Sequence, residues 1–130
     1  MRTLLPSPQA IVVGFGVGRV ALGGVFLAAP VLSTRMLGLD TATAKRVRFL
    51  ARMAAARDIG LGAGTLAAGP TPAAVPWLLA GAGADVVDAT VILGAMRSGT
   101  TRGLPALGIS AGALGAAVLG VRAALSLRRR

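Results

Sequence analysis

Long apolar stretches alternate with short polar connections along the chain. The apolar stretches cover residues 10–32, 49–68, 76–96 and 104–127. A helix rises about 1.5 Å per residue, so about 20 residues cross a hydrocarbon core that is about 30 Å thick. The pattern therefore predicts an all-α fold in which residues 1–130 form one polytopic membrane domain, a bundle of four transmembrane helices.

Prolines lie at the ends of these stretches rather than in their middles. Pro8 precedes the first stretch, Pro30 lies in its last turn, and Pro76 opens the third. Proline is tolerated in the first turn of a helix and disrupts its interior, which favours helices with these bounds. The short "GPTP" turn at residues 69–72 predicts that the second and third helices form an antiparallel hairpin.

The second stretch is the most polar of the four. The pattern extends its helix outward to about Thr41, and Asp40 or Thr41 is a suitable cap for that extension. Inside the stretch, Arg52, Arg57 and Asp58 would each cost about 2.5–3.5 kcal/mol near the centre of a membrane-spanning helix. We therefore expect this helix to insert together with its neighbours.

Small residues recur at four-residue spacing in three of the stretches. They are Gly14 and Gly18, then Gly60 and Gly64, then Gly108, Gly112, Ala116 and Gly120. Such ridges let helix backbones approach closely in lipid, where packing holds helices together. We expect them to pack helices within the chain, and a dimerisation face is the alternative.

The composition is typical of a membrane protein. Hydrophobic residues make up 55% of the chain and charged residues only 14%, with a mean hydropathy of +0.77. The formal charge of +10 comes largely from basic residues between the apolar stretches, as at membrane boundaries. Their numbers on the two predicted sides nearly balance, which leaves the orientation open. Thirteen arginines against one lysine, with abundant alanine and glycine, favour a bacterial chain and hence the bacterial plasma membrane.

Missing residue types exclude several kinds of chemistry. The chain has no cysteine and no histidine, which excludes disulfides, thiol nucleophiles, histidine bases and thiolate or imidazole metal sites. It has no tyrosine and few other aromatic residues to stack on bases, so we expect no nucleic-acid partner. We expect no cofactor, and a magnesium site on Asp85 and Asp88 is poorly supported because nearby arginines would compete with the metal.

Two aspartates lie in the middle of the third apolar stretch. Asp85 and Asp88 are three residues apart and share a helix face with Gly81 and Ile92. Two ionised carboxylates this close repel each other in a low dielectric unless cations approach them. The sequence therefore predicts that arginines from other helices pair with them.

Depth in the membrane identifies the partners. Arg19 and Asp85 both lie about 14 Å from one side, and Arg57 and Asp88 both lie about 12 Å from the other. Asp58 is left to share one of the arginines. The predicted cluster comprises Arg19, Arg52, Arg57, Asp58, Asp85 and Asp88. One interpretation is a structural network that sets the register of the helices. In the other, Asp85 and Asp88 are catalytic acids, and Arg19, Arg57 and Asp58 bind a substrate.

Two segments carry a resemblance to a known family. "GRVALGGVFLAAPVLSTRMLG" contains a Gly-Arg-x-x-x-Gly start and a proline that closes the first span, and "RMAAARDIGLGAGTLAA" contains an Arg-Asp motif at Arg57 and Asp58. On these motifs, about half of the chain resembles a family of small, uncharacterised four-helix bacterial integral membrane proteins, a domain of unknown function. The resemblance implies a membrane location and a four-helix fold, and no activity.

Three functions fit these observations. The sequence favours an accessory or scaffold protein, in which the charge cluster is structural and the small-residue ridges contact another membrane protein or a second copy. The first alternative is a membrane-embedded binding site or acid-catalysed enzyme for a lipophilic small molecule, with epoxide opening, isomerisation or cyclisation as suitable reactions. The second alternative is a small proton-coupled exporter. In each case the lipid bilayer is a partner.

Overall fold

The fold consists of helices joined by short connections. A computed structural model describes residues 6–101 and 103–129. Its helices are α1 (Pro8–Ala28), α2 (Pro30–Met36), α3 (Thr41–Ala68), α4 (Val75–Arg97) and α5 (Leu104–Arg128), with one turn of 3-10 helix at Pro72–Ala74. No strand occurs among the described residues. The predicted all-α class is confirmed.

Side-chain caps set the start of α3 where the sequence predicts it. Asp40 accepts hydrogen bonds from the backbone N–H groups of Ala42 and Thr43, at 2.9 Å and 3.0 Å. The hydroxyl of Thr43 also donates to Asp40, and this bond is the main reason why the pKa of Asp40 lies below its usual range. The helix ends at Ala68 and is followed by Gly69, whose φ of 60° suits glycine.

The first predicted span is wrong at its end. The sequence predicts one helix over residues 10–32, whereas α1 ends at Ala28 and Pro30 begins the separate helix α2. Proline has no N–H to donate and its ring clashes with the preceding turn, so Pro30 takes the first position of a new helix. The break lies at Ala29, with φ −129° and ψ 59°. The short helix α2 packs on α3.

Within residues 6–101 and 103–129, three helical segments are long and apolar enough to cross a membrane. They are Pro8–Ala28, Pro72–Arg97 and Leu104–Arg128. The second predicted span is not among them, although α3 has 28 residues, because it carries five basic residues and Asp58. Three such segments suggest a membrane protein.

Helices α1 and α3 pack in close contact through glycines. A Cβ atom at Gly62 would lie 2.7 Å from the carbonyl oxygen of Gly16, and one at Gly23 would lie 2.7 Å from that of Ala55. These two contacts run in opposite order along the two helices, which makes the pair antiparallel. Only glycine allows the backbones to come this close.

The glycines in contact are mostly not those that the four-residue spacing indicates. At Gly14, Gly18 and Gly60, an added Cβ atom would have no other atom within 4 Å, whereas Gly64 is covered by the ring of Trp77. On α5, a Cβ at Gly120 would reach ordinary contact distance of neighbouring atoms. The four-residue spacing therefore indicates that these helices can pack closely, but it does not identify the helix face that makes the contact.

The bundle is built from two helix pairs. α1 packs mainly on α3, and α4 packs mainly on α5, whereas α3 and α4 make few contacts beyond the turn that joins them. Their contacts, Gly64 with Trp77 and Arg57 with Asp88, run in opposite order, as the hairpin prediction requires. The pairs meet in an apolar cluster near this turn. It comprises Val12, Ala74, Val75, Leu78, Ala123, Ala124 and Leu127.

Candidate binding cavity and its charge cluster

A cavity of about 720 Å³ lies between the two helix pairs, on the far side of the apolar cluster from the turn. One face of each long helix lines it, and the connection after α2 contributes to its edge. Its walls are predominantly apolar. The large apolar side chains include Phe15, Leu22, Phe26, Leu50, Val91, Ile92 and Ile109. Its volume is within the range of small-molecule sites, about 300–1,000 Å³.

Arg19 lies at the centre of the charged groups on the cavity wall. Its Nη1 donates to Asp58 Oδ1 at 3.1 Å, and its Nη2 donates to Asp85 Oδ2 at 2.5 Å and to the carbonyl oxygen of Gly81 at 2.9 Å. The side chains of Arg19 and Asp85 are each 12% exposed. Arg19 therefore joins α1 to both α3 and α4.

Gly81 makes room for this arrangement. A Cβ atom at position 81 would lie 3.0 Å from Arg19 Nη2 and 3.1 Å from Nε. Gly81 and Asp85 are one helical turn apart, so the guanidinium of Arg19 lies across that turn and binds both.

Arg57 forms the second part of the cluster. Its Nη1 and Nη2 donate to the two oxygens of Asp88, at 3.3 Å and 2.6 Å, in a two-pronged pair. Its Nη2 also lies 3.5 Å from Asp58 Oδ1, so Asp58 is shared by Arg57 and Arg19. Arg57 and Asp88 are 37% and 42% exposed, and both line the cavity.

The structure forms both depth-matched pairs that the sequence predicts. Arg19 pairs with Asp85, Arg57 pairs with Asp88, and Asp58 shares the two arginines. Arg52 is wrong as a member of the cluster: it is exposed and has no ion pair among the described residues. Five residues along a helix turn a side chain through about 140°, which directs Arg52 away from the face of Arg57. The catalytic and substrate-binding roles of the cluster stay predictions.

Several cavity residues carry no functional signal in the sequence. Gly14, Gly18 and Gly112 line the cavity, where their lack of side chains adds to its volume. At its edge, Thr101 Oγ1 donates to the carbonyl oxygen of Leu37 at 2.6 Å, which joins the connection after α4 to the connection after α2. The small-residue spacing drew attention to these glycines, but as packing positions.

The arrangement suits binding by hydrogen bonds and charge. Among the described residues, no three carboxylate, histidine or cysteine side chains form a group that could hold a metal ion. The cluster itself contains three carboxyl groups and two guanidinium groups. A molecule in the cavity would meet apolar walls and one charged patch.

Comparisons of the chain with protein-family models, with curated proteins and with solved structures find no match. The resemblance to a four-helix membrane protein family therefore stays a prediction, and the functional argument depends on the cavity and its charges.

Proposed function

We propose that this chain is a four-span protein of the bacterial plasma membrane that binds a lipophilic small molecule between its helix pairs. The observation that carries the proposal is the apolar cavity of about 720 Å³ whose wall includes the charge cluster. Binding pockets for small molecules combine mostly apolar walls with a few convergent polar groups, and this cavity has that composition.

A membrane location is supported by the outward-facing side chains. Val17, Val87 and Val118 lie on three different helices and are 53%, 57% and 59% exposed. These helices are the ones of membrane-spanning length and composition. Contact with lipid tails removes this apolar surface from water.

Insertion of α3 as the fourth span is supported by the ion pairs. Arg57 and Asp58 would be costly in lipid if unpaired, and both are paired with groups on α1 or α4. The basic residues of the N-terminal part of α3 are exposed, as is expected for a segment that extends beyond the hydrocarbon core.

Exposure of the cluster to the cavity favours binding over a purely structural role. A network that only sets helix register does not require a surface that is open to a cavity. Arg57 and Asp88 instead keep more than a third of their side-chain surface accessible. Binding is also favoured over acid catalysis, because binding requires no proton transfer and uses hydrogen-bonding groups such as those that Asp85 and Asp88 already present to guanidinium groups.

An accessory or scaffold role is the second candidate, and one observation favours it. The ion pairs join α1, α3 and α4 into one network of protein side chains. Such a network would hold the helices in register for contact with another membrane protein. The two candidates differ in whether the cavity must stay open for the protein to act.

Filling the cavity tests the proposal. A phenylalanine in place of Gly112 would project into the cavity, whereas Gly115→Phe on the same helix serves as a matched control outside its lining. Both positions have no atom within 4 Å of an added Cβ, so neither substitution starts from a clash. The probe is a neutral alkyl alcohol that carries a photoreactive diazirine, added to the protein in phosphatidylcholine nanodiscs.

Cavity-lining peptides should be labelled in the wild-type protein and in Gly115→Phe, and their labelling should fall in Gly112→Phe. Labelling of lipid-facing peptides should be equal in all three proteins. Equal labelling of cavity peptides in Gly112→Phe and the wild type would reject the binding proposal.

A further inference from the structure

We infer that the ligand of this cavity carries a positive charge at its polar end, as in a long-chain amine. This inference rests on the proposed binding function and specifies its ligand. Three observations support it: the net charge of the cluster, the contacts of its arginine donors and the open oxygens of its carboxylates.

The described cluster holds more carboxyl groups than arginines. Arg19 is shared by Asp58 and Asp85, and Arg57 is shared by Asp58 and Asp88. With all five groups ionised, the cluster has one excess negative charge. Such a charge is costly in a low-dielectric site, and a ligand that brings one positive charge removes that cost.

Carboxylates already contact the Nη atoms of both arginines, although Arg19 Nε donates to no described acceptor. Both Nη atoms of Arg19 and both Nη atoms of Arg57 donate to carboxylates. Arg57 Nε has no partner, but it is fully buried and cannot reach a ligand in the cavity. A phosphate or carboxylate head group that approached these arginines would therefore lie beside the aspartates that they already bind, and like charges repel.

The acceptors of the cluster, in contrast, are partly free. Asp58 Oδ2 and Asp85 Oδ1 accept no hydrogen bond from the described side chains. Neither is among the fully buried polar atoms without a partner, so both keep some accessible surface. An ammonium group has three N–H donors and no acceptor, which complements open carboxylate oxygens.

The cavity walls determine the rest of the ligand. Apolar side chains from all four long helices surround the space next to the cluster. An alkyl or ring system would fill this space, while its ammonium group meets the carboxylates. A biogenic aminolipid and a foreign lipophilic amine share this chemistry.

The test compares head groups on one tail. Dodecylammonium, dodecyltrimethylammonium, dodecanol and dodecyl phosphate compete with the diazirine alcohol for the cavity peptides, in nanodiscs of neutral phosphatidylcholine. Concentrations are corrected for partition into nanodiscs that contain no protein. We expect dodecylammonium to displace the probe at a concentration about tenfold or more below dodecanol, because hydrogen bonds between charged groups are stronger than those of a neutral hydroxyl. Dodecyl phosphate should be the weakest competitor.

Two variants show whether the excess carboxylate causes the preference. Asp88→Asn removes the most exposed carboxylate of the cluster, and Asp58→Asn removes the shared one. Either change should reduce the preference for dodecylammonium over dodecanol to about twofold or less. Asp40→Asn changes the charge of the chain equally, at a position outside the cavity lining, and should keep the preference.

Dodecyltrimethylammonium carries the charge of dodecylammonium but has no N–H group, so the difference between their competing concentrations measures the contribution of hydrogen bonding. Competition by an ethanolamine lipid tests whether the ligand is an aminolipid. Equal competition by all head groups would leave the cavity as a binding site and overturn the inference of a cationic ligand. Preferred binding of dodecyl phosphate would also overturn it. No probe in the cavity at all would reject the proposed function itself.

Discussion

Arg19 and Asp85 are 66 residues apart in the chain, and their side chains join at 2.5 Å. This pair connects the two halves of the bundle, because α1 packs mainly on α3 and α4 packs mainly on α5. The same guanidinium also binds Asp58 of α3, so one side chain links three helices. The relative position of the helix pairs at this depth depends on Arg19.

Loss of Arg19 should destabilise the protein more than loss of Arg57. Arg19→Met leaves Asp58 and Asp85, which are 17% and 12% exposed, without their nearest cation, and breaking a buried pair costs about 3–5 kcal/mol. Arg57→Met removes a pair that is 37% and 42% exposed, and we expect a loss of about 1 kcal/mol. Unfolding in detergent mixtures, followed by the fluorescence of Trp77, measures both. Equal losses would contradict the central position of Arg19.

Gly81→Ala should disturb the cluster although it adds only one methyl group. The new Cβ would lie 3.0 Å from Arg19 Nη2, so the guanidinium must shift by a few tenths of an ångström from the position in which it binds Gly81 and Asp85. Gly83→Ala is the matched control, since its Cβ meets no atom within 4 Å. In a helix interior, alanine is favoured over glycine by about 0.5–1 kcal/mol, so the control should be as stable as the wild type or more stable. The melting temperature of Gly81→Ala should therefore lie below that of the wild type, and the melting temperature of Gly83→Ala should not.

Single cysteines test whether α3 crosses the membrane. The natural chain has no cysteine, so Thr41→Cys, Pro70→Cys and Ser98→Cys each introduce one thiol. If α3 is a span, a membrane-impermeant maleimide should label positions 41 and 98 from one side and position 70 from the other. If α3 does not cross, positions 41 and 70 should be labelled from the same side. Whole cells and inverted vesicles give the two measurements.

The Asp40 cap of α3 should make the free energy of unfolding depend on pH in the acidic range. The pKa of Asp40 is lowered in the folded protein by the hydrogen bonds of Thr43, so the ionised cap stabilises the folded state above the unfolded pKa. This contribution should be lost as the pH falls through the lower, folded pKa. Asp40→Asn keeps a capping side chain without a titrating group, so its stability should change less over that acidic range than that of the wild type. Parallel acid dependence of both proteins would contradict this.

The sequence predicted the ion pairs well because spacing along a helix converts directly into depth. Arg19 and Asp85 are matched by that rule, and no knowledge of helix packing is needed. The rule holds no information about rotation, which is why Arg52 was included although it lies on another face of α3. Charge and length alone cannot assign a residue to a face.

The cavity could not be predicted, because it depends on how far the helix pairs separate. The four-residue spacing of Gly14 and Gly18 indicates a helix-packing face. In the structure, however, α1 approaches α3 through Gly16 and Gly23. The choice between these faces comes from the combined packing of all helices. Similarly, the sequence places Pro30 at a helix end, but the kind of break at Ala29 is a property of the folded chain.

The two ends of the cavity region are held by unequal forces. Near the turn, seven apolar side chains pack together, and separating them would expose a continuous hydrophobic surface. At the opposite end, the hydrogen bond from Thr101 to Leu37 joins the connections that follow α4 and α2, and one such bond contributes about 0.5–1.5 kcal/mol. Thermal fluctuations break a bond of that strength readily. The contact between the helix pairs is therefore weakest at the end that Thr101 joins, beyond the ion pairs of Arg19 and Arg57.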